Sequence, residues 1–406
     1  MKTEGAAWED WRRGGEAHLF GPSQMAQLRR GGRDGGGRRG GAAWEDGGDV
    51  AAPEESRRPY RAASRVKTIL AGGSKNTWQP VMGPDTTTSS YWLNWRGLLC
   101  CVWILTAMGI ASYLITKYEG ASNRKSRKRE NEDEVDDYGG VLYDDEIWKP
   151  CLEGIHPAWL MSYRILAFIV LLILIILNAI VDGGSIFYYY TQWTFTLVTI
   201  YFGIGSLLSM YGCYQHHNKV GGDRSEGLDE EQAEITNLPN AAKFAGPNDH
   251  KHPRQVAGIW GYVFQIMFQT LAGAVVLTDC VFWLIMVPFL TIKDYNLNFL
   301  IINMHSINAV FLVGDTALNS LRFPWFRIAY FTLWTCIFVI FQWIVHACIA
   351  LWWPYPFLDL SSPFSPIWYL LLALLHLPCY GVFALVIKLK HCLLSKWFPD
   401  SNRYIL

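Results

Sequence analysis

Tyr163–Val181 reads YRILAFIVLLILIILNAIV. From Ile165 to Leu177 every side chain is apolar. About 20 such residues cross the hydrocarbon layer of a bilayer as a helix. Lipid offers the backbone no hydrogen bonds, so the segment must satisfy its own N–H and C=O groups, which a helix does. The same reading along the chain finds seven stretches: 97–116, 163–181, 192–214, 257–290, 297–320, 327–350 and 366–388. They are spans 1 to 7 below. Span 4 is too long for one upright helix, and Asp279 and Pro288 interrupt it, which predicts a tilt or a kink. Span 1 carries small residues (Gly97, Ala107, Gly109, Ala111, Ser112) suited to close packing on a neighbour. The expected fold is all-α: a polytopic transmembrane helical bundle of about seven spans behind a disordered N-terminal tail.

Composition agrees. The 406 residues include 35 Lys plus Arg and 35 Asp plus Glu, and only 17% are charged. Soluble domains average about 25%. A neutral chain lacks the basic face of a dedicated nucleic-acid binder, so no nucleic acid is expected as a partner. Nine cysteines scattered over this length do not make a disulfide scaffold. Most fall in or beside spans as small hydrophobes, with Cys213 and Cys392 placed for palmitoylation. Residues 1–90 are rich in Gly and Arg, as in Leu28–Gly41, LRRGGRDGGGRRGG. Such a stretch buries too little apolar area to offset its ordering entropy. GAAWED occurs at Gly5–Asp10 and again at Gly41–Asp46, too few copies for a repeat fold. No apolar run precedes residue 97, so no signal peptide is expected. The chain divides into a tail (1–90), the first span with a charged loop (91–162), a six-span core (163–390) and a C-terminal tail (391–406).

Lys and Arg fix the orientation. They follow span 1 (Lys117, Arg124, Lys125, Arg127, Lys128, Arg129), span 3 (Lys219, Arg224, Lys243, Lys251, Arg254), span 5 (Arg322, Arg327) and span 7 (Lys388, Lys390, Lys396, Arg403). The loops 182–191, 291–296 and 351–365 hold only Lys293. The basic side is expected to face the cytoplasm, with the N-terminus opposite. Both the endoplasmic reticulum and the plasma membrane suit such a protein. The loop 215–256 carries His216, His217, His250 and His252. Without Cys or carboxylates at ligand spacing they predict no metal site, and no cofactor is implied.

Ionisable and polar residues inside spans are costly and are the first functional candidates. In span 5, His305, Asn308, Asp315 and Asn319 fall within an arc of roughly 80° on a continuous helix. Span 6 adds Thr335, Gln342 and His346, span 7 adds His376, and span 4 adds Gln265, Gln269 and Asp279. They line a polar cavity or tie helices together. Span 3 opens with Phe187-Tyr188-Tyr189-Tyr190-Thr191-Gln192-Trp193-Thr194-Phe195, an aromatic interface signature. Spans 3 and 5 enter from the same side, so Thr194 and His305 differ by only roughly 10 Å in nominal depth. His346 lies in the same leaflet. A threonine hydroxyl is a weak nucleophile that needs a base within about 3 Å, and neutral imidazole suits that role.

From Met304 the chain reads MHSINAVFLVGDTALNSLRFPWFRIAYFTLWTCIFVIFQWIVHACIALWWPYPFLD. An intramembrane His precedes a small hydroxyl residue, then a Phe323-Pro324 turn, an aromatic helix and the corner Trp352-Trp353-Pro354-Tyr355-Pro356. With Phe282-Trp283, this resembles the androgen-induced protein / FAR-17a family and the related rolling stone proteins, in particular their plant branch. The resemblance covers about 163–390. In the androgen-induced group it implies a threonine hydrolase that cleaves fatty acid esters of hydroxy fatty acids. The family's His falls on His305 and its Thr on Thr194, with Thr191 and Thr196 as competing alignments. The implied chemistry is acyl transfer from a lipid ester entering from the bilayer; by their position on the spans, Asn308 and His346 are the expected binding residues. Rolling stone proteins imply a fusion or scaffold role without catalysis. Span 1, the long loop 215–256 and Ser306 after the His, where Thr is common, depart from the family pattern. A transporter using the span 5 stripe, with Asp315 or Asp279 coupled to protons, is the third reading.

Overall fold

The computed structural model describes residues 85–128, 142–234, 255–290 and 299–401. The tail 1–84, most of the acidic run after Arg129, and His250 and His252 lie outside them. The described chain is helical, with no strand. Its one bridge, Tyr143 with Val256, ties the loop before span 2 to the loop before span 4.

Seven helices are long and apolar enough to cross a membrane: Trp95–Glu119, Pro157–Asp182, Tyr190–Asn218, Ile259–Pro288, Phe299–Leu318, Trp325–Cys348 and Ser365–Trp397. Each of the seven expected spans has its helix. Their outer faces carry Leu105, Ile173, Ile180, Leu371 and Leu385, apolar and exposed as a lipid-facing surface requires. The helices outrun the apolar windows. That of span 1 continues to Lys128 and that of span 3 to Glu234. The basic cluster Arg124–Lys128 and the start of the expected loop 215–256 are therefore helical. Runs such as Leu228–Glu234, LDEEQAE, have good helix propensity and need no burial to continue a helix already begun.

Span 4 is the hub, packing on spans 3, 5, 6 and 7. Spans 2 and 3 pair along their length, and span 1 lies against spans 6 and 7. Two apolar cores result. One joins spans 2, 3, 4 and 5 around Leu171, Phe195, Phe202, Phe268 and Leu312. The other joins spans 1, 4, 6 and 7 around Cys100, Ile104, Leu277, Phe331 and Phe338. In span 1 the packed face runs through Cys100, Ile104 and Ala111, while Gly109 and Ser112 face outward. The expected small-residue seam is therefore only partly used.

At one end of the bundle, residues 85–94 dock on the loop between spans 6 and 7. Thr86 donates to the His346 carbonyl at 2.7 Å, and Tyr91 donates to Asp359 at 2.6 Å. At the other end Arg327, at the start of span 6, meets Glu119 of span 1 at 2.8 Å, and Arg322 meets Glu146 at 3.1 Å. The ends thus segregate as the Lys/Arg count requires, one aromatic and one rich in charge.

Two spans depart from a regular α-helix. Span 4 changes at Val281 into a π-helix, Val281–Leu290, with Pro288 inside it. Span 5 is two helices, Phe299–Met304 and Ile307–Leu318, broken at His305-Ser306. The continuous stripe read from the sequence is corrected here: only the part after the break keeps helical register. The break is tolerated because side chains replace the lost backbone bonds. The Ala309 N–H donates to Asn308 Oδ1 at 2.8 Å. The His305 carbonyl accepts from the Trp283 indole at 2.8 Å.

Candidate functional site

The polar residues of the spans sort into three groups. The deepest lies toward the charged end. Arg164 of span 2 and Asp315 of span 5 form an ion pair at 2.7 Å, both side chains fully buried. Arg164 also donates to the Ile147 carbonyl and to Ser209, each at 2.8 Å. Asp315 accepts from Tyr201 at 2.6 Å and from Asn319 at 2.8 Å. The Arg164 guanidinium sits 4.8 Å from the centre of the Phe264 ring. Both Asp315 oxygens are thus occupied, and the group ties spans 2, 3 and 5 together. Arg164 is easily missed in the sequence because it sits at the edge of an otherwise apolar run. A single Arg inside a span was the available signal.

The second group braces the aromatic end. His346 is buried, stacks on Trp353 with ring centroids 3.8 Å apart, and has Nδ1 2.7 Å from the Gln342 carbonyl. Its Nε2 lies 3.3 Å from the Trp352 carbonyl. It is a strut beneath the loop and does not line the cavity described next.

The third group surrounds a cavity of about 60 Å³. Its walls are Tyr190 and Thr191 of span 3, Leu277 to Met286 of span 4, Thr335, Phe338 and Val339 of span 6, and Leu372 of span 7. The loop residues Tyr355, Phe357 and Leu358 close the aromatic end, and His305 enters at the break in span 5. The lining is almost wholly apolar, with a few hydroxyls and one imidazole. The cavity is where it is because both helix irregularities meet there. The π-segment begins at Val281, and Phe282 stacks flat on the His305 ring with centroids 3.7 Å apart.

His305 is buried, its Nδ1 without a partner, and its ring makes no hydrogen bond among the described residues. Thr194 is fully buried one turn after Tyr190; its hydroxyl lies near the Tyr190 side chain and makes no bond to its own helix backbone among the described residues. The two are not hydrogen-bonded to each other. Asn308 is fully buried, its oxygen taken by the break and its amide facing the half-buried Asp279 carboxylate of span 4. Each of these four side chains, on three adjacent spans, leaves a buried polar atom without a full hydrogen bond among the described residues, where buried polar groups are usually paired.

One hydroxyl–imidazole pair is assembled. Thr335 Oγ1 of span 6 lies 2.9 Å from Nε2 of His376 on span 7 and 2.9 Å from the Tyr190 hydroxyl of span 3. Both residues were legible in the sequence as polar positions. Their meeting was not, because it depends on how spans 6 and 7 are rotated. Among the described residues no cluster of three His, Cys, Asp or Glu side chains is arranged to hold a metal.

This architecture defines a multi-pass membrane protein with an apolar interior cavity. No family model, no curated protein and no solved structure matches the chain.

Proposed function

We propose that this membrane protein admits the ester group of a lipid, whose chains stay in the bilayer, to the cavity between spans 3 and 7 and hydrolyses it. The observation that carries the reading is the His305 imidazole on the wall of a largely apolar cavity, its Nδ1 without a hydrogen-bond partner among the described residues. Apolar pockets with few, well-placed polar groups are the usual form of a lipid or small-molecule site. The resemblance to the androgen-induced proteins supports the same reaction class and points to Thr194 and His305. The fully buried Thr194 hydroxyl, free of its own helix backbone, suits that role.

A second reading is a scaffold of the rolling stone type. It is favoured by the lack of a hydrogen bond between Thr194 and His305, and by Asp315 and Asn319 serving the packing of spans 2, 3 and 5. Transport through the span 5 stripe loses Asp315 to its ion pair and keeps Asp279.

The test is turnover by the full-length protein in liposomes. Fatty acid esters of long-chain hydroxy acids should be cleaved to free acid and alcohol, and His305→Ala should lower the rate by about 100-fold or more, as removal of a catalytic base does. Folded wild type that cleaves no ester of this kind sinks the hydrolase reading. A transport activity lost in Asp279→Asn would replace it.

A further inference from the structure

We propose that the reactive hydroxyl of the cavity is Thr335, with His376 as its base and Tyr190 as the donor beside it. This rests on the hydrolase reading and reassigns both of its groups: the nucleophile from Thr194 to Thr335 and the base from His305 to His376, which leaves His305 as a residue of the cavity wall.

The argument begins at the far side of the imidazole. His376 Nδ1 lies 2.7 Å from the Leu372 carbonyl oxygen. A carbonyl oxygen only accepts, so Nδ1 carries the proton. The neutral ring then presents a lone pair at Nε2, and the atom in front of it, at 2.9 Å, is Thr335 Oγ1. The Thr335 proton points there in preference to the Phe331 carbonyl of its own helix, which is farther off at 3.3 Å. Tyr190, 2.9 Å from the same oxygen, donates to it. The order of donation is thus Tyr190 to Thr335 to His376 to a backbone carbonyl. A nucleophile, a base and a group that orients the base form the recurring unit of activated hydroxyls.

Placement fits as well. Thr335 and Tyr190 line the cavity, whereas His376 does not. His376 is buried behind Thr335, with the Phe331 ring 4.3 Å from its own. A base behind its nucleophile, shielded from the substrate space, receives the proton without competing for the ester. Three spans converge to make the group, so it does not belong to the packing of any one helix pair.

The chemistry closes. Thr335 Oγ forms a bond to the ester carbonyl carbon as its proton moves to His376 Nε2 and the carbonyl π electrons go to oxygen. Tyr190, 2.9 Å from Thr335 Oγ1, is the donor assigned to that developing charge. The tetrahedral centre collapses, the carbon–alkoxy bond breaks, and the leaving alkoxide takes the proton from His376. A water molecule then adds to the acyl-threonine, giving a proton to His376. Collapse releases the carboxylic acid and returns the proton to Thr335. Ester plus water becomes acid plus alcohol.

The experiment treats the full-length protein in membranes with a long-chain alkyl fluorophosphonate and maps the adduct by peptide mass spectrometry. The expected adduct is on Thr335. It should persist in Thr335→Ser and disappear in Thr335→Val, a variant of equal shape. His376→Gln should slow labelling by about 100-fold or more, with thermal melts confirming that each variant is folded. Because the site is mapped on wild type, the result does not depend on a variant folding. An adduct on Thr194 overturns this assignment and leaves the hydrolase reading in place. Ester turnover with no adduct on any threonine also overturns it. No adduct and no turnover by folded protein sinks both.

Discussion

At the scale of single residues, the least expected feature is Arg164. An arginine inside a span is costly unless paired, and here the Asp315 carboxylate, the Ser209 hydroxyl and the Ile147 carbonyl receive it. The pair's value lies in what its loss leaves behind: one unpaired charge among apolar side chains. Removing one partner of a buried ion pair costs about 3–5 kcal/mol. Arg164→Leu should therefore unfold much of the protein or lower its melting temperature in detergent sharply. The double variant Arg164→Leu with Asp315→Leu should recover part of that loss. A double variant as unstable as the single one would show that the pair contributes through its other bonds, to Tyr201 and Asn319. Asp315 was legible in the sequence as an ionisable residue in a span, and its partner was not. Nothing in residues 151 positions apart says that they touch.

At the scale of elements, the irregular stretches matter more than the regular ones. The aliphatic run of span 2 dictates a helix by composition alone, because lipid permits little else. The break in span 5 has no such local cause: His305-Ser306 contains neither Gly nor Pro. It exists because Trp283, Phe282 and Asn308 supply the contacts that an unbroken helix would have made for itself. Trp283→Phe keeps the ring bulk and removes the N–H. It should leave the His305 carbonyl unpaired at a cost of roughly 1–3 kcal/mol. Hydrogen exchange should then show faster opening of the amides from Phe299 to Ser306. Unchanged exchange there would mean that the break is held by stacking alone. The Phe282-Trp283 pair is legible in the sequence as part of a pattern, and its physical use is this clamp.

At the scale of the whole molecule, the arrangement of the ends is the most readable feature. Seven spans place the start of span 1 and the end of span 7 on opposite sides. The structure agrees, because residues 85–94 dock on the loop after span 6, whereas Lys390 of span 7 reaches the Asn319 carbonyl at the charged end. In sealed microsomes, a protease added outside should remove a tag at the C-terminus and spare one at the N-terminus. Equal protection of both tags would overturn the seven-span topology. The number of spans, their polarity and the charged and aromatic ends follow from composition along the chain, since each needs only about 20 residues of local hydropathy and the sign of the loops. The candidate polar residues were legible for the same reason. Which of them meet was settled by the tertiary structure alone. Helix rotation and a non-helical break turn His305 onto Phe282, and Thr335 onto His376, through contacts between residues far apart in the chain. Hydropathy sets how deep a side chain lies; only packing between spans sets which way it faces.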